Sequence, residues 1–160
     1  MAIRLSRGKT KMMNFRKGDT THALRDGGLV CIDDSGNIVP VKNDSTDRVI
    51  GVCRLNVALT DTSSWTGAPI VPVQVPVENA VEWEMDLDSD VGALDSDVGR
   101  YCAVDTTGGN SVLTGDSAGM RIDISDTAIR QILTTKIISG SKIIGVIVRN
   151  AFDGRFSDTA

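Results

Sequence analysis

The chain is poor in aromatic side chains, histidine and cysteine, and each shortage closes off a class of function. Aromatics make up 4% of its 160 residues: Trp65, Trp83, Tyr101, Phe15, Phe152 and Phe156. That is too few to tile a surface on which bases or sugar rings stack. The single histidine, His22, leaves a nucleophilic triad without a second candidate for its base. Cys31, Cys53 and Cys102 are odd in number and far apart, with no Cys-x-x-Cys pair, which argues against a disulfide framework and a zinc site. Each lies in an apolar stretch and reads as a small buried hydrophobe. No apolar run approaches the roughly 20 residues of a membrane helix. The opening Met1-Ala-Ile-Arg-Leu-Ser-Arg-Gly8 lacks the apolar core of a signal peptide. The expectation is a soluble protein made in a cytoplasm, with no catalytic residue, no cofactor, no metal and no membrane contact.

What remains is ordinary globular material. Hydrophobic residues are 41% and charged residues 24% of the chain, and its length suits one domain or two small subdomains. A chain of this size buries roughly 70% of its unfolded surface, so no staple is required. The net charge of −4 is unevenly spread. Residues 1–26 hold Arg4, Arg7, Lys9, Lys11, Arg16, Lys17 and Arg25 against only Asp19 and Asp26, so the rest of the chain is strongly acidic. A basic segment on an acidic body suits docking on a negative partner or on a neighbouring copy. It is short and carries no recognition motif, which argues against direct nucleic-acid binding.

Strand signals dominate the body. Residues 29–32, 38–41, 49–57, 70–77, 100–104, 132–139 and 142–149 are mostly rich in Val and Ile and bounded by turn formers. Asp33-Asp-Ser-Gly-Asn37 predicts a hairpin turn in which Gly36 and Asn37 take positive φ, and Ser139-Gly-Ser141 a tighter one. The prolines at 69, 72 and 76 place their extended stretch on a sheet edge or in a connector. One helix candidate remains, a short stretch from Ser125 or Asp126 through Ala128, Ile129, Ile132 and Leu133, with a strand as its competitor. A faint repeat relates Gly28-Leu-Val-Cys31 to Gly99-Arg-Tyr-Cys102, and Val49-Ile-Gly51-Val to Ile143-Ile-Gly145-Val. Duplication and coincidence both explain it. The two glycines mark bulges or close backbone approaches. The expected organisation is a basic extended N-terminal arm over 1–19 and a β-rich domain over 20–160, either single or split into sub-barrels over 20–85 and 86–152.

The sharpest local feature is the tandem Leu87-Asp-Ser-Asp-Val-Gly92 and Leu94-Asp-Ser-Asp-Val-Gly99, downstream of Glu78, Glu82, Glu84 and Asp86. As a calcium loop starting at Asp86 it fails twice, because Val91 stands where glycine is needed and Asp97 where a bidentate Glu is needed. It reads as two Asx-rich turns, with cation binding by another geometry left open. Thr106-Thr-Gly-Gly-Asn110 lacks the lysine and the following helix of a phosphate loop.

Taken together, Gly27-Gly-Leu-Val-Cys-Ile-Asp-Asp-Ser-Gly-Asn-Ile-Val-Pro-Val41, Arg48-Val-Ile-Gly-Val52 and Lys142-Ile-Ile-Gly-Val-Ile-Val-Arg-Asn-Ala-Phe152 resemble the capsid decoration (cement) proteins of tailed bacteriophages. The resemblance spans about 20–152 and rests on β-hairpin grammar. It implies a mainly β fold of small β-barrel or β-tulip type with at most one short helix. It further implies a non-enzymatic virion structural protein that binds the outer surface of an icosahedral capsid and stabilises the expanded shell. Its partners would be the major capsid protein and itself, as a homotrimer at local three-fold axes. The arm would supply the shell or neighbour contacts through Ile3, Arg4, Leu5, Arg7, Lys9, Lys11, Met12, Met13, Phe15, Arg16 and Lys17. The alternatives are a phage tail or fibre-base component and a carbohydrate-binding β-domain.

Overall fold

The computed structural model describes residues 3–17, 23–33, 36–41, 49–57, 70–78, 80–87, 92–104, 122–127 and 130–148. The fold is mainly β. Its strands are β1 (Arg4–Arg7), β2 (Thr10–Arg16), β3 (Leu29–Ile32), β4 (Ile38–Pro40), β5 (Val49–Cys53), β6 (Ile70–Pro76), β7 (Glu82–Asp86), β8 (Tyr101–Val104), β9 (Ile122–Asp123), β10 (Ile132–Ser139) and β11 (Lys142–Ile147). A single 3-10 turn at Asp95–Asp97 is the one helical element among the described residues. Of the helix expected near 125–133, Ala128 and Ile129 lie outside the described residues, Ser125 is a bend rather than a helix start, and Ile132 and Leu133 open β10, whose β-branched side chains pack better on a pleated surface.

Two antiparallel sheets carry the strands, in the orders β2-β6-β5-β3-β4 and β1-β7-β11-β10-β8-β9. Setting β1 aside, the two orders are the same. Five consecutive strands are arranged so that the first pairs with the last, then the fourth, second and third follow. The residue just after each first strand makes a single parallel bridge to the third: Lys17 to Ile38, and Leu87 to Ile122. Each sheet therefore curls until its ends touch, without a ladder that would close it into a barrel. The shared order matches Cys31 with Cys102, both on the second strand of their set. It does not match Gly51 with Gly145, which lie on the fourth strand of one set and the fifth of the other.

Both glycines are close approaches. A β-carbon at Gly51 would overlap the Gln74 carbonyl of β6, and one at Gly145 would stand 2.5 Å from Ile132 Cγ2. The register shifts beside each of them, between Val30 and Cys31 and between Thr134 and Lys136, as expected where a strand bends. Both predicted hairpins form. Gly36 takes φ +81° while Asn37 does not go positive, and its N–H instead donates to Asp33 Oδ1 at 2.9 Å. Ser139 pairs with Lys142 across Gly140-Ser141.

The main core lies between the sheets, where Trp83, Met85, Ile132 and Ile143 meet Leu29, Cys31, Val49 and Val52. The other face of the five-stranded sheet folds over a second cluster of Val30, Ile38, Ile50, Cys53, Val71, Val73 and Val75, with Met13 and Phe15 against it. Strand β5 is buried at every position because it serves both clusters, which explains why Val49-Ile-Gly-Val-Cys53 is apolar without alternation.

The stretch expected as an arm is extended, but it is paired into both sheets rather than projecting. Strand β1 pairs with β7 and β2 with β6, so β1 and β2 run along β7 and β6 as one two-stranded ribbon that bends from one sheet to the other. The bend uses Gly8 at φ +107° and Ala80 at φ +63°, a conformation costly for any residue with a β-carbon. Val77 N–H donates to Lys9 O at 3.1 Å and Lys9 N–H to Glu78 Oε1 at 2.7 Å, holding the corner.

Candidate functional site

The residues expected to make external contacts divide into three groups. Ile3 and Lys17 are withdrawn from the surface, at 3% and 2% exposure. Ile3 N–H donates to Gly27 O at 3.0 Å, and Lys17 is the bridge to Ile38. Neither can serve as an anchor on another molecule. Met13, Phe15 and Arg16 are half-buried, the first two against the second core cluster. Arg4, Leu5, Arg7, Lys9, Lys11 and Met12 are left on the surface, with Met12 53% exposed. Four cations and two apolar side chains thus line one ribbon edge.

Backbone direction along that edge follows from two hydrogen bonds. Pro72 O accepts from Arg54 N–H at 2.9 Å, so the even-numbered residues of β6 turn their peptide groups toward β5. Val77 N–H turns the other way, to Lys9 O, so the odd-numbered residues face β2. In an antiparallel pair a residue's N–H and C=O point to the same side. Lys11, Met13 and Phe15 of β2, opposite Val75, Val73 and Val71, therefore bond inward to β6. Thr10, Met12 and Asn14 direct their N–H and C=O outward, and among the described residues no strand pairs with β2 on that side, the Lys17–Ile38 bridge to β4 lying just past its end.

The same geometry corrects the reading of the prolines. Strand β6 is interior, between β2 and β5, not an edge. Pro72 and Pro76 are tolerated because their missing donors face β5, whose ladder with β6 is only Val52 to Gln74 and Cys53 to Val73.

Arg54 fastens the edge to the body. Its Nη1 donates to Ile3 O at 3.1 Å and meets Asp26 Oδ1 at 3.4 Å, while Nε donates to Gln74 Oε1 at 2.9 Å. Gln74 Nε2 in turn donates to Thr10 Oγ1 at 2.9 Å. Sequence reading passed over Arg54, because nothing local shows that its fork will meet a carbonyl 51 residues away.

Acidic side chains flank the edge. Glu84 and Glu82 stand in register with Arg4 and Arg7, and Glu84 and Asp86 meet Lys142 Nζ at 2.8 and 3.9 Å. A shallow pocket of about 390 Å³ opens at the corner, lined by Arg7, Gly8, Glu78, Ala80 and Glu82.

In the acidic tandem, 88–91 lie outside the described residues, as do His22, Trp65, the 106–110 loop, Phe152 and Phe156. The described half is a turn, as expected. Asp97 Oδ2 accepts from Leu94 N–H and Oδ1 from Arg100 Nη1, both at 2.9 Å, and Gly99 takes φ +85°. Gly92 does not go positive. Among the described residues no three His, Cys, Asp or Glu side chains gather to hold a metal ion. All three cysteines are buried free thiols. Burial pushes the Cys102 thiol up to about 12 against the lowering contact of Thr134, and burial also raises Cys53. Among the described residues no helix is long and apolar enough to cross a membrane.

No protein-family model matches the chain, and neither a curated protein nor a solved structure does.

Proposed function

We propose that this chain is a non-enzymatic structural protein of a phage particle, binding the outer surface of the expanded icosahedral shell and stabilising it. The observation that carries this reading is the N-terminal edge, where Arg4, Arg7, Lys9 and Lys11 stand exposed beside Leu5 and Met12 on an otherwise acidic body. Such an edge gains charge-assisted contacts on an acidic shell surface, while the acidic body keeps the decorated particle soluble. Many weak contacts on a symmetric lattice add through effective concentration, so each interface can be small. Assembly as a trimer at local three-fold axes belongs to the same proposal. It draws on the resemblance to capsid decoration proteins.

Cosedimentation of the purified protein with expanded shells from its source tests the reading. Arg4→Glu, Arg7→Glu, Lys9→Glu and Lys11→Glu together are expected to abolish binding while the melting curve stays cooperative. Undiminished binding by that variant overturns the edge as the contact.

A further inference from the structure

Strand β2 presents a half-finished ladder. Thr10, Met12 and Asn14 point peptide groups outward, Lys11, Met12 and Asn14 are exposed, and the Lys9 and Lys11 side chains make no ion pair among the described residues. An open edge of this kind is a template for another strand. Its charge selects which one. A second copy of β2 overlapped about Met12 would put Lys11 diagonally across from Lys11, and a shorter overlap about Thr10 would set Lys9 directly against Lys11, so the cations work against self-pairing. A strand with a carboxylate at every second residue would instead place acids opposite Lys9, just before β2, and Lys11 within it, which lie two residues apart on one face of the extended chain.

The molecule already contains one such pairing. Strand β7, within Val81-Glu-Trp-Glu-Met-Asp-Leu87, alternates carboxylates with buried apolar residues, and it lies against the basic strand β1 with Glu84 opposite Arg4 and Glu82 opposite Arg7. β1 and β2 are consecutive parts of the same ribbon edge, so the neighbour of one indicates the chemistry that fits the other.

We infer that the outer edge of β2 is a docking site for an extended acidic segment of another protein, added as a further antiparallel strand with carboxylates at alternate positions opposite Lys9 and Lys11. The inference deepens the shell-contact reading and rests on it for the partner's identity. The edge chemistry itself is testable without a shell.

The probe is a synthetic peptide of the Val81–Leu87 sequence with Gly-Ser flanks, titrated against the full chain. Its counterpart carries lysine in place of each carboxylate. The acidic peptide is expected to bind saturably, to weaken as salt is raised, and to protect the Met12 and Asn14 amides from hydrogen exchange. The lysine peptide is expected to bind at least tenfold more weakly. Met12→Pro removes an outward N–H and leaves the β6 ladder intact, so it should keep the native melting temperature within a few degrees while losing at least tenfold in peptide affinity. Lys9→Glu with Lys11→Glu should lose as much.

Equal binding of both peptides, no binding, or binding indifferent to Met12→Pro overturns the inference. So does concentration-dependent self-association that protects the same amides, which would give the edge to a second copy. Protection of those amides by duplex DNA in preference to the acidic peptide overturns it as well. Peptide binding without shell binding leaves the edge standing and removes the shell reading. Shell binding without peptide binding does the reverse.

Discussion

Cys31 and Cys102 hold equivalent places in two sheets of the same strand order. Cys31 pairs with Val49 and Cys102 with Ile132, each on the second strand of its set facing the fourth. Their thiols face backbone carbonyls: Cys31 Sγ lies 3.7 Å from Val39 O, and Cys102 Sγ 3.6 Å from Ile132 O. Both are buried in the core shared by the sheets. These cysteines are packing residues at matched positions, and their chemistry is suppressed by burial.

Thiol labelling follows directly. At pH 8 a disulfide reagent should react slowly with the native protein and with three thiols per chain once it is unfolded. Fast labelling of Cys31 or Cys102 in the native protein would contradict the packing described.

The Cys102 thiol adds a pH dependence. Its value is raised from 9.0 to about 12 by burial, so the folded state holds its proton where the unfolded chain has lost it. The stabilisation is complete below pH 9 and is lost as pH rises from about 9 toward 12. Denaturant midpoints between pH 8 and 11 should fall more steeply for the wild type than for Cys102→Ala. Parallel slopes would contradict this.

Three glycines should respond differently to alanine. Gly51→Ala drives a β-carbon into the Gln74 backbone, which cannot move without breaking the β5–β6 ladder. Gly145→Ala meets a methyl of Ile132, which has some freedom to turn. Costs of about 1–3 kcal/mol are expected, with Gly51 the larger. Gly140→Ala meets nothing within 4 Å and should be close to neutral in urea melts.

Deleting residues 1–17 should unfold the chain rather than leave a folded body. It removes β1 and β2, the buried Ile3 and Lys17, and the contacts that Arg54 and Gln74 make with Ile3 and Thr10. Circular dichroism of the truncated chain should show loss of cooperative melting. A cooperative transition near that of the full chain would mean that the segment is an independent arm after all. Charge substitutions on the edge are for this reason the proper probes of binding.

How much of this was legible in the sequence is clearest strand by strand. The apolar strands β3, β5, β10 and β11 and both hairpin turns were readable because Val, Ile and turn formers alternate in blocks. Strand β7 was hidden in plain view: Val81, Trp83, Met85 and Leu87 point inward at period two, but the glutamates between them drew attention to charge. Strand β2 lacks alternation because it is an edge, with Lys11, Met12 and Asn14 all exposed. The prolines of β6 suggested an edge, and only the short facing ladder explains their interior place. In the repeat, the cysteines matched by topology while the glycines answered to two separate close approaches. The candidate edge was visible as charge, but its outward peptide groups needed the hydrogen bonds of Pro72 and Val77 to be seen.

The central claim is a lattice-covering structural role, and copy number tests it most directly. Quantitative mass spectrometry of purified particles from the source should find this chain in a ratio to the major shell protein near one or a simple fraction of it. A handful of copies per particle, or none, would contradict the account.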